Sequence, residues 1–256
     1  MNPMKIFVII PTYNESKSIG QLLDTLSEKV FKKIPNHQMG ILVVDGNSPD
    51  GTANIVKTKS ASHSNIHLLV EKEKRGIGAA YASGFKHAIK NLGADAVIEF
   101  DGDGQHDPND IPRLIAEFDN GHDYVIGSRY IAGGAIPAEW ALYRKLLSQL
   151  GGLTAKLVLG LPVNDATSGF KLSRVAGFAE NLPLDENQML SKYYAYKIHW
   201  LYEMISRGAK IKEIPIQFLE RRSGSSKSTI RDIFDSLYVV LALRFRKNKS
   251  PKHKLS

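Results

Sequence analysis

The chain has 256 residues, 43% of them hydrophobic and 23% charged, with no cysteine and a formal net charge of +8. This supplies enough apolar material for one large domain or two small ones, and it excludes a disulfide scaffold, a thiolate metal centre and a cysteine nucleophile. Six of the eight excess charges, Arg244, Arg246, Lys247, Lys249, Lys252 and Lys254, lie beyond the last acidic residue, Asp235; with no nucleic-acid motif beside them, an anionic surface is their expected partner and nucleic acid is not.

The first apolar run, Lys5 to Ile10, reads as a buried strand. It stops at Pro11, too short for a signal-peptide core, and no later run reaches the roughly 18 residues of a membrane span. The expectation is a cytoplasmic protein, at most peripheral on the cytoplasmic face of a membrane. Ile19, Leu22, Leu23, Leu26 and Val30 then recur at helical spacing, with Ser16 or Ser18 as N-cap. A strand over Ile41 to Val44 is followed by a helix opened by Asp50-Gly51-Thr52. Next come a strand over Ile66 to Val70, a helix from Gly78 to Asn91, a strand over Ala96 to Phe100, a helix from Pro108 to Phe118 and a strand over Tyr124 to Ile126. This alternation predicts an α/β fold with a mostly parallel, doubly wound sheet and helices on both faces.

After Arg129 the pattern changes. A long helical region spans Pro137 to Leu159, a β-like piece Ser168 to Leu172, and a further helix Lys192 to Arg207. Ile211 to Phe218 follows, where Pro215 suggests an edge strand. Ile230, Ile233, Phe234, Leu237, Leu241 and Phe245 fall on one face of a last helix, which either packs on the body or lies in a membrane interface. We read a domain over residues 1–228 and an amphipathic helix with a basic tail over 229–256.

Asp101-Gly102-Asp103-Gly104-Gln105 carries the strongest chemical signal. It follows a buried strand, so two carboxylates stand at a strand end, where open α/β sheets bind ligands. There they can hold a hard divalent cation and neutralise a diphosphate; the bland alternative is an acidic surface turn. An EF-hand fails, because His106 and Pro112 occupy the places of its glycine and glutamate. Pro11-Thr12-Tyr13-Asn14-Glu15 and Asp45-Gly46-Asn47-Ser48-Pro49-Asp50-Gly51-Thr52 end the first two strands, with a ring, carboxylates and amides suited to a base and ribose. Gly76-Ile77-Gly78 begins like a dinucleotide fingerprint, but Tyr81 takes the place of its third glycine, so a dehydrogenase is a weak alternative. No HExxH spacing marks a zinc site, and of the histidines only His106 adjoins the acidic loop.

IIPTYNE (Ile9 to Glu15), VVDGNSPDGT (Val43 to Thr52), RGIGAAY (Arg75 to Tyr81), DGDGQH (Asp101 to His106), GSRY (Gly127 to Tyr130), DATSGFK (Asp165 to Lys171) and ERRSGSSKS (Glu220 to Ser228) together resemble the family 2 glycosyltransferases, of GT-A fold and inverting chemistry. Within them the chain is similar to the polyprenyl-phosphate sugar synthases. The resemblance implies nucleotide-sugar contacts from Pro11, Tyr13, Glu15, Val44, Asp45, Gly46, Asp101, Gly102 and Asp103. It implies Mg²⁺ or Mn²⁺ as cofactor, with Asp101, Asp103 and Gln105 as ligands. Arg221 and Lys227 map onto a loop that closes on the donor diphosphate, and Arg129, Arg144 and Ser148 onto groups that hold the acceptor phosphate. Asp103 and Arg129 are the implied catalytic pair. The sequence departs from the family pattern twice: Gly46 stands where a second aspartate is usual, and Gly-Tyr-x-Phe-Gln-x-Glu appears as Lys197-Ile198-His199-Trp200-Leu201-Tyr202-Glu203.

The activity so implied is transfer of mannose from GDP-mannose to dolichyl or another polyprenyl phosphate, at peripheral contact with a membrane and with a membrane-anchoring subunit as a further partner. A lipid monophosphate is already anionic, so it needs cationic positioning by Arg129 and Arg144 and no strong base. Asp165 is the reserve base, with orientation of Arg129 as its preferred role. The alternatives are a UDP-glucose or UDP-N-acetylhexosamine transferase of the same fold, and a non-catalytic nucleotide-sugar-binding subunit.

Overall fold

The computed structural model describes residues 2–140, 142–220 and 230–246, without the side chains of 142–144, 146–148 and 230. Strands β1 (Lys5–Thr12), β2 (Gln38–Asp45), β3 (Ile66–Val70), β4 (Ala96–Glu99), β5 (Tyr124–Ser128), β6 (Lys171–Arg174) and β7 (Ile211–Pro215) form one sheet in the order β3-β2-β1-β4-β6-β5-β7. Only β6 runs antiparallel to its neighbours, β4 and β5. Helices α1 (Ile19–Asp24), α2 (Thr52–Ser62), α3 (Ile77–Lys90), α4 (Ile111–Asp119), α5 (Leu142–Leu159), α6 (Tyr196–Ser206) and α7 (Ile230–Phe245) complete the α/β fold.

The sheet is covered on both sides, which explains its near-continuous apolar strands. Along β1, Ile6, Val8 and Ile10 enter one core, built with α1, α2 and α4, while Phe7 and Ile9 enter the other. β2 repeats the pattern, with Ile41 and Val43 on the first side and Leu42 and Val44 on the second. The second core takes residues of α3, α6 and α7. β7 pairs only with β5, as Pro215 led us to expect.

Several boundaries differ from the sequence reading. The first helix is α-helical only to Asp24 and continues as a π-helix over Thr25–Val30, which still buries Leu26 and Val30. Ser18 is its N-cap residue, yet its hydroxyl turns to Glu15 instead of capping. Pro108 opens a 3-10 turn capped by the Asp107 side chain, and α4 follows from Ile111. The β-like piece after Asp165 becomes a strand only at Lys171, since the Ser168 hydroxyl is bonded to the Gly127 carbonyl. α6 begins at Tyr196 rather than Lys192, because the Lys192 carbonyl is turned to the start of α3.

The last helix has two apolar faces, where the sequence reading named one. Its core-facing residues are Val239, Val240 and Leu243, which are buried. The apolar stripe picked from the sequence, Ile233, Phe234, Leu237, Leu241 and Phe245, is exposed, with Phe234 at 68% and Phe245 at 78%. The helix therefore packs on the body by one face and presents a second apolar face outward.

Candidate active site

A cleft of about 1100 Å³ opens at the carboxyl ends of β1, β2, β4 and β5, where the topology of open α/β sheets places ligands. Pro11, Tyr13, Glu15 and Gly46 line one end, Asp101, Gly102, Asp103 and Gln105 the middle, and Arg129 and Thr167 the far wall. Leu150, Gly151 and Thr154 of α5 and Ile233, Leu237 and Val240 of α7 extend that wall.

At the end lined by Pro11, Tyr13 and Glu15 the Lys74 ammonium stands 4.2 Å from the centroid of the Tyr13 ring. Asn14 and Asn47, both at φ near +60°, turn the chain sharply after β1 and β2. Val44 and Asp45 are fully buried and lie behind the cleft wall rather than on it. The reason is local: Asp45 accepts from Thr12 Oγ1 at 2.9 Å, Ser48 Oγ at 2.7 Å and the Ser48 amide at 2.8 Å. Asp45 thus fixes the two loops against each other and leaves Gly46 to face the ligand space. A Cβ at Gly46 would meet only ordinary contacts, 3.5 Å to Tyr13 and 3.6 Å to Lys74, so sterics do not demand glycine there.

The fingerprint-like glycines have a different task. The amides of Gly78 and Ala79 donate to the Lys192 carbonyl at 2.9 and 3.3 Å, and a Cβ at Gly76 would sit 2.5 Å from the same oxygen. The N-terminus of α3 is stoppered by backbone, and its amides do not hold a pyrophosphate. Arg75 secures the junction by pairing with Glu71 and Glu186 and donating to Ser83 Oγ at 2.8 Å.

Asp101 is held from three sides. Tyr81 donates its hydroxyl to Oδ1 at 2.7 Å, Lys197 Nζ lies 3.6 Å from Oδ2, and His106 Nε2 lies 3.9 Å from Oδ2. Burial raises the Asp101 carboxyl, but Lys197, His106 and the Tyr81 hydrogen bond overcome it and hold the group below the ordinary carboxylate range. His106 is buried among Phe100, Phe170 and Phe218. Its burial, with Lys197 and Arg129 close by, lowers its pKa to about 4 despite Asp101, so it is neutral at neutral pH. Asp103 accepts from the Gln105 amide, and Gln105 bonds Leu219 in both directions, Nε2 to its carbonyl at 3.2 Å and carbonyl to its amide at 2.8 Å. The acidic turn is therefore tied to the chain just before Arg221.

Two carboxylates and the Gln105 amide oxygen fit a hard cation that takes its other ligands from phosphate and water. Among the described residues no cluster of three His, Cys, Asp or Glu offers a closed metal site.

At the far wall Arg129 Nε and Nη2 grip the two oxygens of Asp165 at 2.7 Å each, and Nη2 also donates to Thr167 Oγ1 at 2.8 Å. The guanidinium lies over the rings of Tyr130 and Phe218. Asp165 is fully buried, and Arg129 holds its carboxyl below the ordinary range against the opposing effect of burial. With both oxygens so engaged, it is not placed to take a proton. Arg144 and Ser148 belong to α5, but their side chains, like Arg221 and Lys227 entirely, lie outside the described residues. Tyr81, Lys197 and Thr167 were not singled out as site residues by the sequence reading. Tyr81 drew notice only as a broken glycine motif and Lys197 only as a departure from a pattern, and both are 4 Å or less from Asp101.

The Glycosyl transferase family 2 profile matches residues 7–182. The undecaprenyl-phosphate mannosyltransferase of Micrococcus luteus is 36% identical over 225 residues, 88% of this chain and 87% of that protein. The polyprenol monophosphomannose synthase of Mycolicibacterium smegmatis is 33% identical over 237 residues, 92% and 85% of the two chains. Among solved structures, glucosyl-3-phosphoglycerate synthase from Mycobacterium tuberculosis, in complex with Mn²⁺ and UDP-glucose, shares the fold at a TM-score of 0.62 and 19% identity, over 94% of this chain and 79% of that one. With the acidic strand end, the loops after β1 and β2 and the sheet order in place, this chain belongs to glycosyl transferase family 2.

Proposed function

We propose that the protein transfers mannose, with inversion, from GDP-mannose to a polyprenyl phosphate such as dolichyl or undecaprenyl phosphate. The observation that carries this reading is the Arg129–Asp165 pair. It presents a fixed guanidinium at the far wall of the cleft while occupying the neighbouring carboxylate. That suits an acceptor that arrives as a phosphate anion and needs placement, not deprotonation. The relatives that match over most of both chains bear the names of mannosyl transfer to polyprenyl phosphates.

In the proposed reaction an acceptor phosphate oxygen bonds to C1 of mannose on the face opposite the bond to GDP, and GDP leaves with that bond's electron pair. Asp101, Asp103 and Gln105 would hold Mg²⁺ or Mn²⁺, which when bound supplies positive charge for the departing diphosphate. Lys197 and the Tyr81 hydroxyl keep Asp101 ionised and oriented, and Arg129 would set the acceptor phosphate in line. The exposed apolar residues of α5 and α7 beside the cleft mouth support a membrane surface as the place from which the lipid end of the acceptor would enter. No helix among the described residues is long and apolar enough to cross a membrane; the contact we propose is a peripheral one, on the side where nucleotide sugar is available.

Parallel assays with labelled GDP-mannose and UDP-glucose, undecaprenyl phosphate in detergent and added Mn²⁺ test the reading. The expected product is a mannosyl phospholipid. Transfer from UDP-glucose alone would transfer the assignment to a glucosyl donor, and no transfer from either would leave a binding subunit.

A further inference from the structure

Lys197 stands in the first turn of α6, where a cation is opposed by the helix dipole. Its side chain is only 7% exposed, and such burial of an ammonium is costly without a partner. The partner is Asp101, whose Oδ2 lies 3.6 Å away. The pair rests on the bare backbone of Gly169: a Cβ there would come within 2.4 Å of the ammonium and 2.7 Å of Asp101 Oδ2. Around it lie the Tyr194 ring at 5.5 Å and, on its own carbonyl, the Lys171 ammonium at 3.4 Å. Neither helix position nor core packing calls for a lysine at this place.

We infer that Lys197 is a built-in counter-cation that couples metal binding to donor binding. This rests on the proposed metal role of Asp101 and goes beyond it. A dication on Asp101 would share the carboxylate with an ammonium already beside it, and two cations in a partly dried wall repel strongly. The free enzyme therefore holds the metal weakly. A nucleoside diphosphate brings the negative charge that lets both cations remain, so metal and donor bind together and, after transfer, leave together. By linkage the nucleotide must gain from the metal the same factor that the metal gains from the nucleotide. Lys197 acts through Asp101 and is a positioning residue, since nothing in its geometry requires contact with the reacting atoms.

The test is Mn²⁺ binding to the full chain, read by titration calorimetry or by the spectroscopic signal of free Mn²⁺, with and without saturating GDP, for the wild type, K197M, K197Q and K197R. In the wild type Mn²⁺ alone should bind at least tenfold more weakly than Mn²⁺ with GDP. K197M and K197Q should bind Mn²⁺ alone at least tenfold more tightly than the wild type, with a smaller gain from GDP, and K197R should keep the wild-type pattern. Two neutral variants are used so that misfolding of one, checked by thermal unfolding, leaves the other to decide. A folded neutral variant that binds Mn²⁺ alone no more tightly than the wild type overturns the inference. If the wild type binds no Mn²⁺ with either GDP or UDP, the assignment of Asp101 as a metal ligand fails first, and the inference falls with it.

Discussion

The Tyr81 hydroxyl donates to Asp101 Oδ1 at 2.7 Å, from a ring that is fully buried and stacked on Tyr196. Tyr196 in turn donates to Glu99 at 2.6 Å, so the acidic strand end rests on a pair of tyrosines rooted in α3 and α6. A hydrogen bond to a charged group contributes about 1.5–3 kcal/mol. Tyr81→Phe keeps the buried ring and removes only the hydroxyl that holds Asp101, and it should weaken Mn²⁺-dependent GDP binding by roughly tenfold or more. Calorimetry on the variant and the wild type measures it. Unchanged affinity would mean that Tyr81 merely fills the core.

This relationship also marks the limit of what the sequence discloses. Strand signals were legible where an apolar run ended in a turn, as in β3, whose span the reading reproduced. The acidic motif was legible because Asp101, Asp103 and Gln105 are neighbours in sequence. Tyr81 lies twenty residues away on another element, and only the packing of α3 against β1 and β4 brings it to Asp101. For Asp45 the difference lies between backbone and side chain: the turn belongs to the cleft wall, but the carboxylate faces inward. In α7 two apolar faces compete, and a helical period cannot say which of them meets the core.

Asp165→Asn tests the acceptor wall. The change leaves a buried guanidinium without its counter-charge, and breaking such a pair costs about 3–5 kcal/mol. The variant should unfold at a lower temperature. Its KM for polyprenyl phosphate should rise and kcat fall, because Arg129 loses the counter-charge and one of the two oxygens that together fix Nε and Nη2. GDP affinity should stay close to the wild-type value, since Asp165 does not line the cleft. A parallel loss of GDP binding would show that Asp165 organises the whole site.

Glu203, the glutamate retained from the family pattern, links α6 to the end of α7. Its carboxyl is held down to about 2, first by His199, whose Nε2 lies 3.7 Å away, then by Arg207 and Arg246 against the effect of burial. Because the folded value lies below the ordinary value near 4.3, this contribution is complete above about pH 4.3 and lost as the pH falls towards 2. Arg246 is 59% exposed, and solvent screening reduces the contribution to about 1–2 kcal/mol. Glu203→Gln should therefore be less stable than the wild type by that amount at pH 7. The gap should narrow steadily below pH 4.3 in urea unfolding. A gap that stays constant with pH would assign the loss to packing.

The face of α7 turned away from the core carries Phe234, Tyr238, Leu241 and Phe245, all exposed, with Ile233 and Leu237 at the cleft mouth, and the neighbouring α5 exposes Leu153 and Leu157, with Leu150 at the cleft mouth. Lys247, Lys249, Lys252 and Lys254 follow in the sequence. Each lysine close to an anionic surface contributes roughly 1 kcal/mol, and the contribution is lost to salt, whereas burial of an apolar ring is not. Two variants separate the effects. Truncation after Arg246 removes the four lysines but keeps the Arg246–Glu203 pair. It should lower co-sedimentation with anionic vesicles at low salt and change little at high salt. Phe234→Ser should lower it at both, and because the ring is exposed, stability should stay within about 0.5 kcal/mol. In both, GDP binding should be unaffected, while transfer to vesicle-embedded polyprenyl phosphate should fall more than transfer to a short water-soluble analogue. If the full chain stays in the supernatant at low salt, the exposed face does not bind lipid, and the lipid acceptor must reach the cleft by another route.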